Sequence, residues 1–192
     1  MNITAIKRGF IFQFCDDVTA KGEFAKTASA AGIILNSSFD ESAKQPRWVS
    51  VIAAGPDCDE TVLHAGAKVL LPALRWTAAS KLEGQKIWKS DETQVVAYTD
   101  GDAIVPCNEH VIFKQIPRER TSTSAAGLLV ISGSSEDTPS GIVSVVSGST
   151  DPELTVGTKI YYDDANFADT FDHNGTQYAF IKEDSILAYE PQ

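Results

Sequence analysis

The hydrophobic positions of the chain fall into short runs that are rich in β-branched and aromatic residues. Gly9–Phe14 and His110–Ile116 are the clearest runs, and their composition is typical of β-strands. Glycines and clusters of Asp, Asn and Ser interrupt the runs every ~8–12 residues, which is the spacing of an all-β barrel or sandwich. No segment keeps a 3.6-residue period, and Thr77–Leu82 is at most a short helical turn. Further predicted strands are Trp48–Ile52, Val69–Leu71, Ile142–Val146 and Ile160–Tyr162.

The same order of segments occurs twice along the chain. Chance can produce one such match, but four matches in the same order indicate an internal duplication. The offset between the copies drifts slightly, as it does when loops change length while strands are kept. The matched pairs are Ser29–Leu35 with Ser124–Val130, Val49–Ile52 with Val143–Val146, Ala65–Leu70 with Val156–Tyr161, and Val95–Tyr98 with Ile186–Tyr189.

A polar turn that contains a glycine, Thr99–Asp102, separates the two copies. We therefore expect two domains, at residues 1–99 and 103–192. The copies differ in charge: residues 1–100 carry 11 Lys and Arg against 12 Asp and Glu, a net charge of −1. Residues 101–192 carry 5 against 14, a net charge of −9, so the acidity of the chain belongs to its second half.

Composition and charge exclude several classes of protein. The 192 residues are 43% hydrophobic and 22% charged, as in a folded globular protein. No apolar run approaches the ~18–20 residues that span a bilayer, and the N-terminus lacks the shape of a signal peptide. We therefore expect no membrane partner and a cytoplasmic location. The net charge of −10 disfavours nucleic acid as a partner.

The sequence contains no constellation of residues for catalysis or metal binding. The three cysteines are odd in number and widely spaced, which fits neither a disulfide framework nor a zinc site. The three histidines lack ligand spacing, and we expect them on the surface or in loops. GxSxG and P-loop motifs are absent, so we predict no catalytic residue, metal or cofactor. The cysteines and histidines are Cys15, Cys58, Cys107, His64, His110 and His173.

Two loops rich in Ser, Thr, Ala, Gly and Lys each lead into three consecutive aliphatic residues. The loops are Lys21–Ala31 and Arg118–Ala126, and their composition buries little surface, so we expect both to be mobile. The triplets Ile33–Leu35 and Leu128–Val130 do not alternate with polar residues as a half-exposed strand would. On the residues alone, the triplets are either fully buried core strands or apolar contacts that the loops present.

The second half carries an ordered set of motifs, which are an opening strand, a loop that ends in Gly and three aliphatics, the next strand, a later strand start and a closing strand. The motifs are Pro106–Lys114, Ser124–Val130, Gly141–Val143, Val156–Tyr162 and Glu183–Ala188. Taken in order, they resemble the GroES-type co-chaperonin (chaperonin-10) family. The first half is more diverged, but it keeps Met1–Ile3 and Gly32–Leu35.

The resemblance implies two tandem GroES-like small β-barrels and a co-chaperonin function without chemistry of its own. In that family, the aliphatic triplets of the mobile loops dock in an apolar groove of a GroEL-type chaperonin ring in its nucleotide-bound state. The co-chaperonin is itself a ring of subunits, and it caps the chaperonin while an unfolded client folds. The resemblance thus implies a homo-oligomeric ring whose chaperonin-binding residues are Gly32, Ile33, Ile34, Leu35, Gly127, Leu128, Leu129 and Val130.

The stretches that correspond to the family's roof hairpin, Pro56–Leu63 and Ser149–Leu154, are short. In this respect the chain resembles the roofless co-chaperonins of some tailed bacteriophages. That resemblance implies a phage origin, a location in the host cytoplasm and a capsid protein as client. The alternative is a GroES-like structural or assembly protein of a virion that does not bind a chaperonin and keeps the triplets in core strands.

Overall fold

The computed structural model describes residues 4–15, 45–117, 121–123, 129–131, 138–145, 151–163 and 168–190. Within these ranges the protein is all-β, with fifteen strands and two 3-10 helices, Glu92–Gln94 and Glu183–Ser185. No helix in these ranges has the length and apolar character needed to cross a membrane. The first seven strands are β1 (Gly9–Phe14), β2 (Arg47–Ala54), β3 (Lys68–Leu71), β4 (Ser80–Leu82), β5 (Gln85–Asp91), β6 (Ala97–Asp100) and β7 (Ala103–Pro106). The others are β8 (His110–Gln115), β9 (Thr121–Thr123), β10 (Leu129–Ile131), β11 (Ser140–Val145), β12 (Lys159–Tyr162), β13 (Asp169–His173), β14 (Thr176–Lys182) and β15 (Ile186–Glu190).

The first compact unit comprises Met1–Asn108 together with Asp169–Phe171. Its seven-stranded sheet has the order β4-β5-β1-β2-β3-β6-β7. Successive side chains of a strand point to opposite faces, and β2 accordingly buries Val49 and Val51 while the residues between them are half exposed. These valines pack with Phe12 in the core of this unit. One face of the sheet is therefore apolar and covered.

The second compact unit comprises Glu109–Ala168 together with Asp172–Gln192. Its six-stranded sheet has the order β13-β14-β8-β11-β12-β15. The core of this unit includes Phe113 and Tyr162, whose rings lie 5.1 Å apart. The strands β9 and β10 pair only with each other, as a two-stranded ribbon that is separate from the six-stranded sheet.

The two sheets share one strand order, because β4-β5-β1-β2-β3-β6 and β13-β14-β8-β11-β12-β15 correspond strand by strand. The backbone repeats the match in detail. The carbonyl of Val51 accepts from Gly66 N at 2.8 Å, and the carbonyl of Val143 accepts from Gly157 N at 2.8 Å. Three of the four repeated sequence segments lie in corresponding parts of the two sheets, around β2 and β11, β3 and β12, and β6 and β15.

The expectation of a helical turn at Thr77–Leu82 is wrong, because Ser80–Leu82 forms β4 and pairs with β5. Glu83 and Gly84 connect the two strands with positive φ angles of 48° and 82°. Two such residues in succession give the tight hairpin turn whose twist matches that of its strands. A polar edge hairpin shows no hydrophobic alternation, so its sequence carried no strand signal.

The predicted boundary Thr99–Asp102 is the turn between β6 and β7. Asp100 pairs with Ala103 across it, and Gly101 has a φ of 59°, a backbone conformation that glycine adopts without strain. The strand β7 belongs to the seven-stranded sheet, and the first compact unit continues to Asn108. The division into domains at residues 1–99 and 103–192 follows the sequence repeat and stays a prediction.

Candidate functional site

Most of the predicted chaperonin-binding residues lie outside the described part of the chain. These are Gly32, Ile33, Ile34, Leu35, Gly127 and Leu128. The last two members of the second triplet, Leu129 and Val130, begin β10, where they pair with Thr123 and Ser122 of β9. The backbone of the second triplet therefore enters an extended ribbon outside the main sheet of its unit.

The two connections that carry the triplets start and end at corresponding points of their sheets. In the first unit the connection runs from β1 to β2, and Cys15 N donates to the carbonyl of Trp48 at 3.0 Å where the two strands meet. In the second unit it runs from β8 to β11, and Ile116 N donates to the carbonyl of Ser140 at 3.0 Å. Each connection thus leaves and re-enters the sheet at the same end of a hydrogen-bonded strand pair.

Aromatic and polar side chains make contacts at the ends of β1 and β8, where the two connections begin. In the first unit, the Phe14 ring lies 5.1 Å from Trp76 and 4.7 Å from Trp88 in edge-on contacts. Such pairs add about 0.5–1.5 kcal/mol each beyond the area that they bury. In the second unit, Gln115 Nε2 donates to the Tyr162 hydroxyl at 3.1 Å. Both connections therefore begin on strand ends that side-chain contacts hold in place.

A groove of about 490 Å³ lies beside β15 in the second unit. Leu187 is 63% exposed there. Burial raises the pKa of Tyr189, and the nearby carboxylates of Asp151 and Glu153 add to the rise. We call this the acidic groove; it is lined by Glu109, Asp151, Leu154, Glu183, Asp184, Ile186, Leu187, Ala188 and Tyr189.

The corresponding position in the first unit is filled by the chain itself. Cys107 N donates to the carbonyl of Val96 at 2.8 Å. Asn108 Nδ2 donates to the carbonyl of Glu92 at 2.9 Å and to that of Val95 at 2.8 Å. Burial raises the pKa of the Cys107 thiol to about 11, with smaller contributions from Asp59 and Glu92. Residues 103–108 therefore cover the end of this sheet.

The first unit carries a second groove, of about 680 Å³, with basic residues along it. Ile6 lines this groove and is 72% exposed. Arg8 Nε donates to Glu92 Oε2 at 3.0 Å, and this hydrogen bond together with the carboxylate charge raises the pKa of Arg8. We call this the basic groove; its apolar and cationic lining residues are Ile6, Lys7, Arg8, Arg75, Trp76 and Lys89.

The described residues contain no group of three or more His, Cys, Asp or Glu that could hold a metal ion. His64 is exposed, and its Nδ1 lies 3.3 Å from the carbonyl of Glu60. His110 corrects the expectation of surface or loop histidines, because it is 6% exposed at the start of β8 and its ring lies 5.7 Å from Phe180. The first four residues of β8, which include His110, are all buried, so both faces of this part of the strand are covered.

Neither groove was expected from the sequence. The acidity of the second half was visible, but the exposure of Leu187 depends on which strand lies at the open end of the sheet. The internal repeat supplied the one usable signal, because it aligns Val95–Tyr98 with Ile186–Tyr189. The repeat does not show that β6 pairs with β7 on its outer side, whereas β15 is the last strand of its sheet.

Comparison with known protein families gives a match over part of the chain. Residues 103–189 match the family model described as chaperonin 10 Kd subunit. The matched stretch runs from the first residue of β7 into β15. It supports the GroES-type resemblance for this part of the chain. No curated protein matches the chain.

Proposed function

We propose that this protein is a co-chaperonin that caps a GroEL-type chaperonin ring in its nucleotide-bound state and assists the folding of a client protein. The observation that carries the proposal is the match of residues 103–189 to the chaperonin 10 Kd subunit family. The contacts with the chaperonin are made by Ile33–Leu35 and Leu128–Val130, next to Gly32 and Gly127. The protein performs no chemistry itself, because the ATPase belongs to its partner.

The duplicated architecture supports the extension of this function to both halves. The family match covers one half, but the two sheets have the same order of six strands. Each triplet belongs to the connection between corresponding strands, β1 to β2 in one unit and β8 to β11 in the other. Two equivalent loops in one chain favour a tandem co-chaperonin with two chaperonin contacts per chain.

The magnitudes favour a weak contact that is used many times. Burial of three aliphatic side chains contributes ~5–9 kcal/mol, whereas ordering about ten flexible residues costs on the order of 10 kcal/mol. One loop therefore binds poorly by itself. A homo-oligomeric ring that presents many loops gains from their effective concentration, and weak single contacts let the lid dissociate at each cycle.

The short connection between β2 and β3 in the first unit supports the phage-type variant of this function. The described connection 55–67 of the first unit contains turns and no strand. A lid without a roof leaves more space for a bulky client, and we propose a capsid protein in the cytoplasm of the host. The alternative, a virion component that binds no chaperonin, predicts no complex under any nucleotide condition.

The test is co-elution with a bacterial chaperonin on size exclusion, with ATP, with ADP and without nucleotide. We expect a complex only with nucleotide, weakened by Ile34→Asp and by Leu129→Asp. Leu74→Asp is the matched control, since Leu74 is 61% exposed in the first unit and lies outside both triplets. If the folded wild-type protein never co-elutes, or if the control loses binding as much as the triplet variants, the proposal fails.

A further inference from the structure

The basic groove of the first unit combines positive charge with apolar surface. Its exposed cationic residues are Lys7, Arg8, Arg75 and Lys89. Asp91 is the lining residue that carries a carboxylate, and Ile6 and the half-buried Trp76 supply the apolar surface. The protein as a whole has a net charge of −10, so this concentration of cations is a local feature that the overall composition does not predict.

Two carboxylates lie near these cations, and both already accept hydrogen bonds. Glu92 Oε2 accepts from Arg8 Nε at 3.0 Å. Asp91 Oδ1 accepts from the backbone N and the hydroxyl of Thr93 at 3.0 and 2.8 Å. Within the described ranges, no carboxylate forms a salt bridge with the three other cationic side chains, which are those of Lys7, Arg75 and Lys89. These three side chains can therefore receive an anionic ligand.

The duplicated fold gives the positions of the groove counterparts in the second unit. Glu92 N donates to the carbonyl of Arg8 at 3.0 Å, and Glu183 N donates to the carbonyl of Glu109 at 2.9 Å. Arg8 and Glu109 are therefore equivalent, and the residues that follow them begin β1 and β8. The second unit thus has a carboxylate where the first has a guanidinium, and the preceding Lys7 has an uncharged counterpart. The shared architecture does not require these cations.

The open space of the groove is also specific to the first unit. Lys89 and Phe180 are equivalent, since each pairs with the third residue of its aligned strand, β1 or β8. In the second unit the Phe180 ring lies 5.7 Å from that of His110, and both residues are buried. In the first unit Gly9 takes the place of the histidine, and a Cβ on it would lie 2.8 Å from Lys89 Cε. Two aromatic rings therefore fill the place that a glycine and an exposed lysine occupy in the first unit.

Hydrogen bonds hold the walls of the groove in place. Ser90 Oγ donates to the carbonyl of Arg75 at 2.6 Å. Thr77 N donates to the carbonyl of Lys89 at 2.9 Å. These two bonds fix the segment that carries Trp76 against β5. A preformed groove loses little conformational freedom when a ligand enters it, which favours binding.

We propose that the basic groove binds an acidic segment of a partner protein, in which an aromatic side chain lies between carboxylates. The carboxylates approach the cationic side chains of Lys7, Arg75 and Lys89. The aromatic ring packs on Ile6 and Trp76, near the place that aromatic rings fill in the second unit. This binding site goes beyond the proposed function and does not depend on contact with a chaperonin.

Charge complementarity and the size of the groove favour this occupant. A volume of about 680 Å³ is larger than a single phosphate ion needs and accommodates several side chains. Nucleic acids gain their affinity from many successive phosphate contacts, and a strand that continued beyond the groove would meet a protein with a net charge of −10. A short segment with a few carboxylates pairs with the cations and avoids that repulsion.

The test is fluorescence anisotropy of a labelled peptide of sequence EDFDE, titrated with the full chain. We expect saturable binding that weakens about tenfold as NaCl rises from about 0.05 M to about 0.5 M, because salt screens exposed charges. The uncharged peptide NQFQN should not bind. Arg75→Glu and Lys89→Glu should each weaken binding by about 2- to 30-fold, since each replaces an exposed ion pair by a repulsion of similar size. Lys68→Glu is the matched control, because Lys68 is an exposed lysine of the same unit that lies on β3, outside the groove.

Ile6→Ser tests the apolar part of the contact. The peptide EDADE lacks the aromatic ring, so the wild-type protein should bind it more weakly than EDFDE. Ile6→Ser should reduce this preference by about 3- to 10-fold, which is the value of an aliphatic side chain that is partly buried in the contact. Ile6 is 72% exposed, so the fold does not depend on it, and circular dichroism verifies the fold of every variant.

Several results would overturn the proposal. These are no saturable binding of EDFDE at low salt, equal binding of NQFQN, and a loss in Lys68→Glu as large as in Lys89→Glu. Tighter binding of a short oligothymidylate or of ATP than of EDFDE would assign the groove to a nucleic acid or a nucleotide instead. A wild-type assembly that Lys89→Glu dissociates in sedimentation velocity would show that the groove holds a second copy of the chain, which also contradicts the proposal. Co-elution with a chaperonin measures the proposed function separately.

Discussion

Asn108 is the residue whose replacement tests most sharply how the first unit closes its sheet. Its side chain donates two hydrogen bonds, to the carbonyls of Glu92 and Val95 at 2.9 and 2.8 Å. Its backbone has a φ of 50°, which asparagine tolerates better than alanine. Asn108→Gly removes the hydrogen bonds and keeps the backbone relaxed, whereas Asn108→Ala removes the bonds and adds strain.

The two variants should therefore differ by a defined amount. A hydrogen bond contributes about 0.5–1.5 kcal/mol net, so Asn108→Gly should lower the free energy of unfolding by ~1–3 kcal/mol. The left-handed backbone costs alanine roughly 1–2 kcal/mol more, so Asn108→Ala should lower it by ~2–5 kcal/mol. Glu83→Gly is the control, since Glu83 has a similar φ of 48° but lies in an exposed turn of the same unit.

Urea unfolding followed by tryptophan fluorescence is the assay. Trp48, Trp76 and Trp88 are the three tryptophans of the chain, and all belong to the first compact unit. The midpoint should fall in the order wild type, Asn108→Gly, Asn108→Ala, with little change in the slope. Equal stability of Asn108→Ala and wild type would refute the role of the hydrogen bonds, and equal stability of the two variants would refute the role of the backbone.

Three further predictions concern other parts of the molecule. A Cβ at Gly141 would collide with the ring of Phe113, so Gly141→Ala should cost about 1–3 kcal/mol in urea unfolding followed by circular dichroism, and a neutral result would contradict the packing. At about pH 8, iodoacetamide should modify the exposed Cys15 before Cys107, whose pKa burial raises to about 11; mass spectrometry that finds equal rates would disprove this. Burial raises the pKa of Asp169, so the native state binds its proton more readily than the unfolded state and the carboxylate destabilises the fold above that pKa. Asp169→Asn should raise Tm at about pH 7, with a gain that shrinks as the pH falls toward about 4, and an unchanged Tm would contradict this.

The sequence was sufficient to predict the all-β class, because buried strands need short runs of β-branched and aromatic residues, and these are visible along the chain. Gly9–Phe14 is the first strand as expected, and His110–Ile116 contains β8. The polar hairpin at Ser80–Leu82 was missed, since its strand is specified by a turn and by pairing with β5 rather than by hydrophobicity. Burial of His110 was missed for a related reason, because the sheet as a whole decides which residues of a strand are covered.

One part of the candidate site could be predicted from the sequence and another part could not. The aliphatic triplets are a sequence signal, and their binding role stays a prediction that only experiment can test. The acidic groove depends on the end of a sheet being open, which follows from the neighbours of β15 and not from its residues. Val96 and Leu187 are aligned aliphatic residues of the repeat, yet one is 0% exposed and the other 63% exposed.

Protection of an enclosed client tests the central claim most directly. A client bound to the chaperonin is treated with protease after addition of this protein, with and without nucleotide. A cap predicts that the client survives only when both this protein and nucleotide are present, and that Ile34→Asp combined with Leu129→Asp abolishes the protection. Digestion of the client at the same rate with and without the folded, assembled protein would contradict the account.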